Sequence, residues 1–151
     1  GRNAARRAPL AASLPAMPDA LTRGSALVLL WESLLERRIP PDRLVDALLA
    51  LLPRETDELN TNQALDYMRS LFWQLTAADD REQLTPKLEP LLRAGLDRAK
   101  TTSEKAAWFG ALRIHLCAEH GFAFPARPVY DKPSAERHWE RLFALFKRRL
   151  H

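Results

Sequence analysis

Apolar residues recur along this chain at the three- and four-residue spacing of helices, and no stretch alternates with the period of a strand. Asp19 is placed to cap a first helix running to about Arg38, with Leu27, Leu30, Trp31, Leu34 and Leu35 on its buried stripe. Pro40 and Pro41 open a second, because proline in a first turn gives up an N–H that has no helical partner. Leu44, Val45, Leu48, Leu51 and Leu52 form its apolar face, and Pro53 ends it. A third helix is expected from about Asp57 to Leu75, with Leu65, Met68, Phe72 and Leu75 on one side. A fourth segment begins near Ala77, where Asp79 or Asp80 is the candidate cap. It restarts at Thr85-Pro86 and kinks at Pro90, with Leu88, Leu91, Leu92 and Leu96 as its packing face. Ser103 caps a fifth helix, with Trp108, Phe109, Leu112 and Leu116 inward and Gly121 as its stop. Residues 121–133 hold Pro125, Pro128 and Pro133 among aromatics and read as an ordered loop. Ser134 caps a last helix with Trp139, Leu142, Phe143, Phe146 and Leu150 inward.

Helices with one apolar face must bury it against one another. The expected fold is therefore all-α, with about six amphipathic helices stacked as antiparallel pairs. Residues 1–18, with Pro9, Pro15 and Pro18 among alanines and arginines, read as a flexible lead-in, and 19–151 as a single helical-repeat domain. A chain of 151 residues has room for one such core.

Charge narrows the function less than its total suggests. The net charge is +4, but Arg2, Arg6, Arg7, Lys147, Arg148 and Arg149 gather at the two ends. Without those six, 17 basic residues face 19 acidic ones, so the body is a mixed-charge surface and not a face for nucleic acid. No apolar run approaches the roughly 20 residues that span a bilayer. The one cysteine, Cys117, rules out an internal disulfide without fixing a compartment.

The candidate reactive groups are better explained structurally. His115 and Glu119 share a helix face, but Cys117 points away from both, and His120 is badly spaced for a helical ligand pair. His138-Trp139-Glu140 is not H-E-x-x-H. Asp79, Asp80 and Glu82 suit a helix start, and Lys147 to Arg149 suit a helix end. No G-x-S-x-G elbow or glycine-rich phosphate loop occurs. Trp31, Trp73, Trp108 and Trp139 fall on or near apolar stripes and read as core. No catalytic, cofactor-binding or metal-binding residue is therefore assigned. Arg23 is the one polar residue singled out for an interaction. It lies near a helix start, where the helix dipole gives a cation no help, so it calls for a carboxylate partner or a neighbouring surface.

Three stretches have a familiar order: Leu21-Thr22-Arg23-Gly24-Ser25 continuing through Trp31, then Leu59-Asn60-Thr61-Asn62 followed by Tyr67 to Trp73, then Leu84-Thr85-Pro86-Lys87-Leu88-Glu89. Over residues 18–116 the chain resembles the C-terminal helical domain of aminopeptidase N-like gluzincins, particularly a bacterial branch. The resemblance implies a short HEAT/ARM-like α-solenoid that walls the active-site chamber and restricts which peptides enter. It implies as partners the catalytic domain of a parent peptidase and its peptide substrates. Zinc is then expected in that domain, with no cofactor in this chain, since neither H-E-x-x-H nor a G-x-M-E-N-type motif is present. The alternative is a free-standing helical-repeat module that binds protein or peptide.

Overall fold

The computed structural model describes residues 10–119 together with Glu140, Arg141, Phe143, Ala144, Lys147 and Arg148. All regular structure among them is helical, and the protein is all-α, as the apolar spacing implied. A leading turn that ends in a 3-10 segment, Leu14–Ala16, precedes α1 (Ala20–Leu35), α2 (Pro41–Leu51) and α3 (Glu58–Ser70). The helix α3 runs on as a π turn, Leu71–Leu75, and α4 (Ala78–Arg98) and α5 (Thr102–Glu119) follow. The chain divides into two compact units, Gly1–Leu91 and Leu92–His151, with the boundary inside α4, where one domain was expected. Nothing in the sequence marks that boundary, because a continuous helix crosses it.

Local chemistry explains where the helices start. Asp19 accepts from the Thr22 N–H at 2.7 Å and Asp57 from the Asn60 N–H at 2.9 Å, each satisfying a donor that the first turn leaves open. Pro40 and Pro41 stand at the N-cap and first turn of α2. The end of α1 is a Schellman motif: the N–H of Arg37 donates to the Leu34 carbonyl and that of Arg38 to the Ser33 carbonyl, both at 2.8 Å. Arg37 takes the left-handed position, φ 56°, that glycine usually fills.

In the first unit α1 packs against α3, and the leading turn packs against α1 and α2. Leu27, Leu30, Leu44, Leu48, Leu71 and Phe72 are buried there, each contributing about 1.5–3 kcal/mol. Trp31 stacks on Tyr67 with ring centroids 4.4 Å apart, tying α1 to α3. In the second unit Leu92, Leu96, Trp108 and Leu112 are buried. Gly95 leaves room for the Trp108 ring, since a Cβ there would fall inside it. Arg98 lies over the same ring, 5.7 Å from its centroid.

Several expectations need correction. Within the expected lead-in, Ala11 and Leu14 are buried. No restart occurs at Thr85-Pro86. A single helix, α4, runs through Pro86 and Pro90. Both prolines are exposed, so the carbonyls they leave without a donor lie on a side that water reaches. Leu35 and Leu75, expected inward, are 61% and 41% exposed. Leu75 ends the π turn, whose wider winding carries it off the stripe that α3 began. Asp79 and Asp80 lie in the first turn of α4 and are not its cap. Thr101, not Ser103, caps α5 in a capping box: its hydroxyl accepts from the Glu104 N–H, and Glu104 accepts from the N–H groups of Lys100 and Thr101. Phe143 is 63% exposed, not inward. The expectations for Gly121, for 121–133, for Ser134 and for Trp139, Leu142, Phe146 and Leu150 lie outside the described residues.

Candidate functional site

Arg23 stands one turn into α1, and its side chain points back toward the chain that precedes the helix. Its Nε donates to Glu55 Oε2 at 2.7 Å and its Nη2 to Glu55 Oε1 at 2.8 Å, a two-pronged grip that fixes both groups in one plane. Its Nη1 donates to the carbonyls of Met17 and Pro18 at 3.0 and 3.1 Å. The guanidinium thus ties the leading segment, α1 and the turn before α3 together. Of the two expectations for Arg23, the structure shows the carboxylate partner.

Glu55 comes from the short turn after α2. Its side chain is fully buried, and Arg23's is only 13% exposed. A buried carboxylate is tolerated only when its oxygens are satisfied, and these are. Besides Arg23, Oε1 accepts from the N–H groups of Thr56 and Asp57, both at 2.9 Å, and Oε2 accepts from Asn60 Nδ2 at 3.4 Å. Burial pushes the Glu55 carboxyl up, but the Arg23 hydrogen bonds and the two backbone donors outweigh it and hold it below its ordinary range. The same pairing raises Arg23 above its ordinary value, against the opposing effect of burial.

Asn60 completes the joint. Its Nδ2 also donates to the Ala20 carbonyl at 2.8 Å, so one amide bridges α3 to α1. A Cβ on Gly24 would fall 2.6 Å from Asn60 Oδ1, which is why α1 carries glycine there despite its cost of about 1 kcal/mol in a helix. Glu55 and Asn60 received no role from sequence reasoning. A signal for Asn60 was present: Asn60 and Thr61 occupy the same helical stripe as Ala64, Leu65 and Met68, and polar residues on a buried stripe require partners. Chemically the cluster is a clamp. Its donors and acceptors are turned on one another, with little left to offer a substrate.

The other candidates lie apart from it. His115 is buried in α5, while the side chains of Cys117 and Glu119, and His120 and His138 altogether, fall outside the described residues. Among the described residues no three His, Cys, Asp or Glu side chains gather as metal ligands. Asp79, Asp80 and Glu82 are exposed near the start of α4, and Lys147 and Arg148 are exposed and helical. Trp108 is core, whereas Trp31 and Trp73 are half-buried. Trp73 meets Phe72 edge-on at 4.7 Å, with Arg81 over it at 5.6 Å. No helix among the described residues is long and apolar enough to cross a membrane.

Comparison with family models, with curated proteins and with solved structures finds no match in any of the three.

Proposed function

We propose that the chain is a noncatalytic helical domain of a zinc-dependent aminopeptidase of the aminopeptidase N type. In this reading its helices stack as antiparallel pairs in a short HEAT/ARM-like solenoid. The solenoid walls the active-site chamber and limits which peptides reach it. Its partners are the catalytic domain, which holds the zinc, and the peptides passing through.

One observation supports this most. Arg23 and Gly24, from the first stretch that carries the resemblance, and Asn60, from the second, meet in one joint around Glu55. These residues are bonded to and packed against one another and so build a fold, which suits a wall that leaves catalysis to another domain.

The test is the gene and its product. An in-frame H-E-x-x-H upstream is expected. Deleting this domain from the parent enzyme should speed hydrolysis of long peptides relative to aminoacyl amides, with zinc content unchanged. A reading frame without that motif, or unchanged length selectivity after deletion, overturns the reading.

A further inference from the structure

The first unit carries an open trough made of two adjoining basins of about 500 and 560 Å3. One lies along α2, the end of the π turn and the first half of α4. The other lies around the end of α1 and the link to α2. Pro41 and Leu75 line both, so the two share part of their wall.

The floor is apolar and partly uncovered: Leu35 is 61% exposed and Leu75 41%, with Val45 and Leu84 buried beneath. The two ends carry opposite charge. Asp42, Asp46 and Asp80 line one end against a single Lys87. Arg37 and Arg38 line the other, and Arg38 is paired with Glu36 at 3.0 Å. Among the described residues Arg37 has no ion pair. Both exposed features also depart from regular backbone. The π turn brings Leu75 out of the helix stripe, and Arg37 holds a left-handed conformation that costs an L residue about 1–2 kcal/mol. Backbone retained at a cost is common where the side chain is used for binding.

We propose that this trough binds a linear peptide segment with a basic residue at one end, a carboxylate at the other and apolar side chains between. The basic residue sits over Asp42, Asp46 and Asp80, the apolar side chains cover Leu35 and Leu75, and the carboxylate meets Arg37. The charge pattern selects this class. Three aspartates repel a phosphate backbone and an anionic lipid surface, and neither offers a cation at one end of an apolar segment. The site stands on the first unit alone and needs no catalytic partner, so it holds whether or not the proposed function does.

Fluorescence anisotropy on the whole chain tests it, using short end-blocked peptides of equal length. One carries lysine, leucines and glutamate in that order; the others carry glutamate at both ends or lysine at both ends. The mixed peptide is expected to bind about tenfold tighter than the all-acidic one and several-fold tighter than the all-basic one, with the gap narrowing as salt is raised. Asp46→Lys and Leu75→Ser should each weaken the mixed peptide about threefold or more. Arg37→Gly should weaken it as much while raising the unfolding midpoint, since glycine relieves the left-handed strain. That pairing of tighter fold with weaker binding cannot come from misfolding. Undetectable binding at millimolar peptide, equal affinity for the mixed and all-acidic peptides, or unchanged affinity in Arg37→Gly and Asp46→Lys overturns the proposal.

Discussion

Replacing Arg23 by alanine removes four hydrogen bonds at once and strands a carboxylate. The 2.7 and 2.8 Å bonds to Glu55 and the two bonds to the Met17 and Pro18 carbonyls all disappear. The Glu55 side chain, which has no exposure, then keeps its charge without its counterion. Breaking a buried pair from one side costs about 3–5 kcal/mol. The low end applies here, because the N–H groups of Thr56 and Asp57 and the amide of Asn60 still solvate the carboxylate. A loss of about 3 kcal/mol is a large share of a stability of about 5–15 kcal/mol, and it lowers the melting midpoint by about 6–12 °C. Urea unfolding followed by far-ultraviolet circular dichroism measures it, with the denaturant slope expected to stay constant. Arg23→Lys should recover only part of the loss, since an ammonium cannot grip both carboxylate oxygens in one plane. The double variant Arg23→Ala/Glu55→Ala should cost less than the two single changes summed, because no stranded charge remains. A cost below about 1 kcal/mol for Arg23→Ala, or strict additivity in the double variant, would refute the clamp.

The glycines give a sharp contrast. Gly95→Ala forces a Cβ into the Trp108 ring and should cost about 1–3 kcal/mol or more in thermal unfolding, whereas Gly110→Ala, with nothing within 4 Å, should stabilise α5 by up to about 1 kcal/mol. Gly24→Ala should destabilise despite alanine's better helix propensity, and the large-to-small partner change, Asn60→Ala, should be worse alone than in combination with it. Acid stability follows the carboxylates. Glu55 has a pKa below its ordinary 4.5, with burial opposed and outweighed by Arg23 and backbone donors. Asp19 is lowered by its bonds to Thr22, and Glu104 by the N–H groups of Lys100 and Thr101. A lowered folded-state value means that the stabilisation is complete above the unfolded value and is lost as pH falls through the folded one. Melting midpoints should therefore hold from neutral pH to about 4.5 and fall below it, and Arg23→Ala should flatten that fall.

The starts of α1, α2 and α3 were legible because they depend on neighbours in sequence. Asp19, Pro40-Pro41 and Asp57 each act within their own first turn, and the leucine stripe of α2 and that of α1 as far as Leu34 read correctly for the same reason. What was missed depends on distance or on competition between local rules. Glu55 lies in a short turn beside Pro53 and acquires meaning only when α1, 32 residues earlier, delivers Arg23. Leu14 looked like linker because proline and alanine surround it, yet one leucine that finds the core outweighs those neighbours. Pro86 promised a restart, and the apolar spacing of Leu84, Leu88, Leu92 and Leu96 overrode it. Thr101 was passed over for Ser103 although Thr101-x-x-Glu104 is the capping-box spacing, so that signal was available and misread. The π turn has no signal in a pattern that assumes regular winding, and Leu75 is misplaced in consequence.

The joint also separates what the resemblance can transmit from what it cannot. Gly24 lacks a side chain because the Asn60 amide occupies that space. Asn60 in turn holds the Ala20 carbonyl, and Glu55 needs Asn60 and Arg23 to remain charged while buried. A change at any one position strands another, so these residues must persist or change together. Residues bound by such a constraint report a shared architecture, and any activity has to be argued from surfaces that the constraint does not reach. The trough is such a surface: Asp46, Arg37 and Leu75 can change without touching Glu55. Two variant sets should therefore dissociate. Arg23, Gly24 and Asn60 substitutions should lower the unfolding midpoint and leave peptide affinity unchanged below it. Asp46, Arg37 and Leu75 substitutions should lower the affinity without lowering the midpoint to match. If joint variants, still folded at the assay temperature, lost peptide binding as completely as trough variants do, the two surfaces would be one site and the separation argued here would fail.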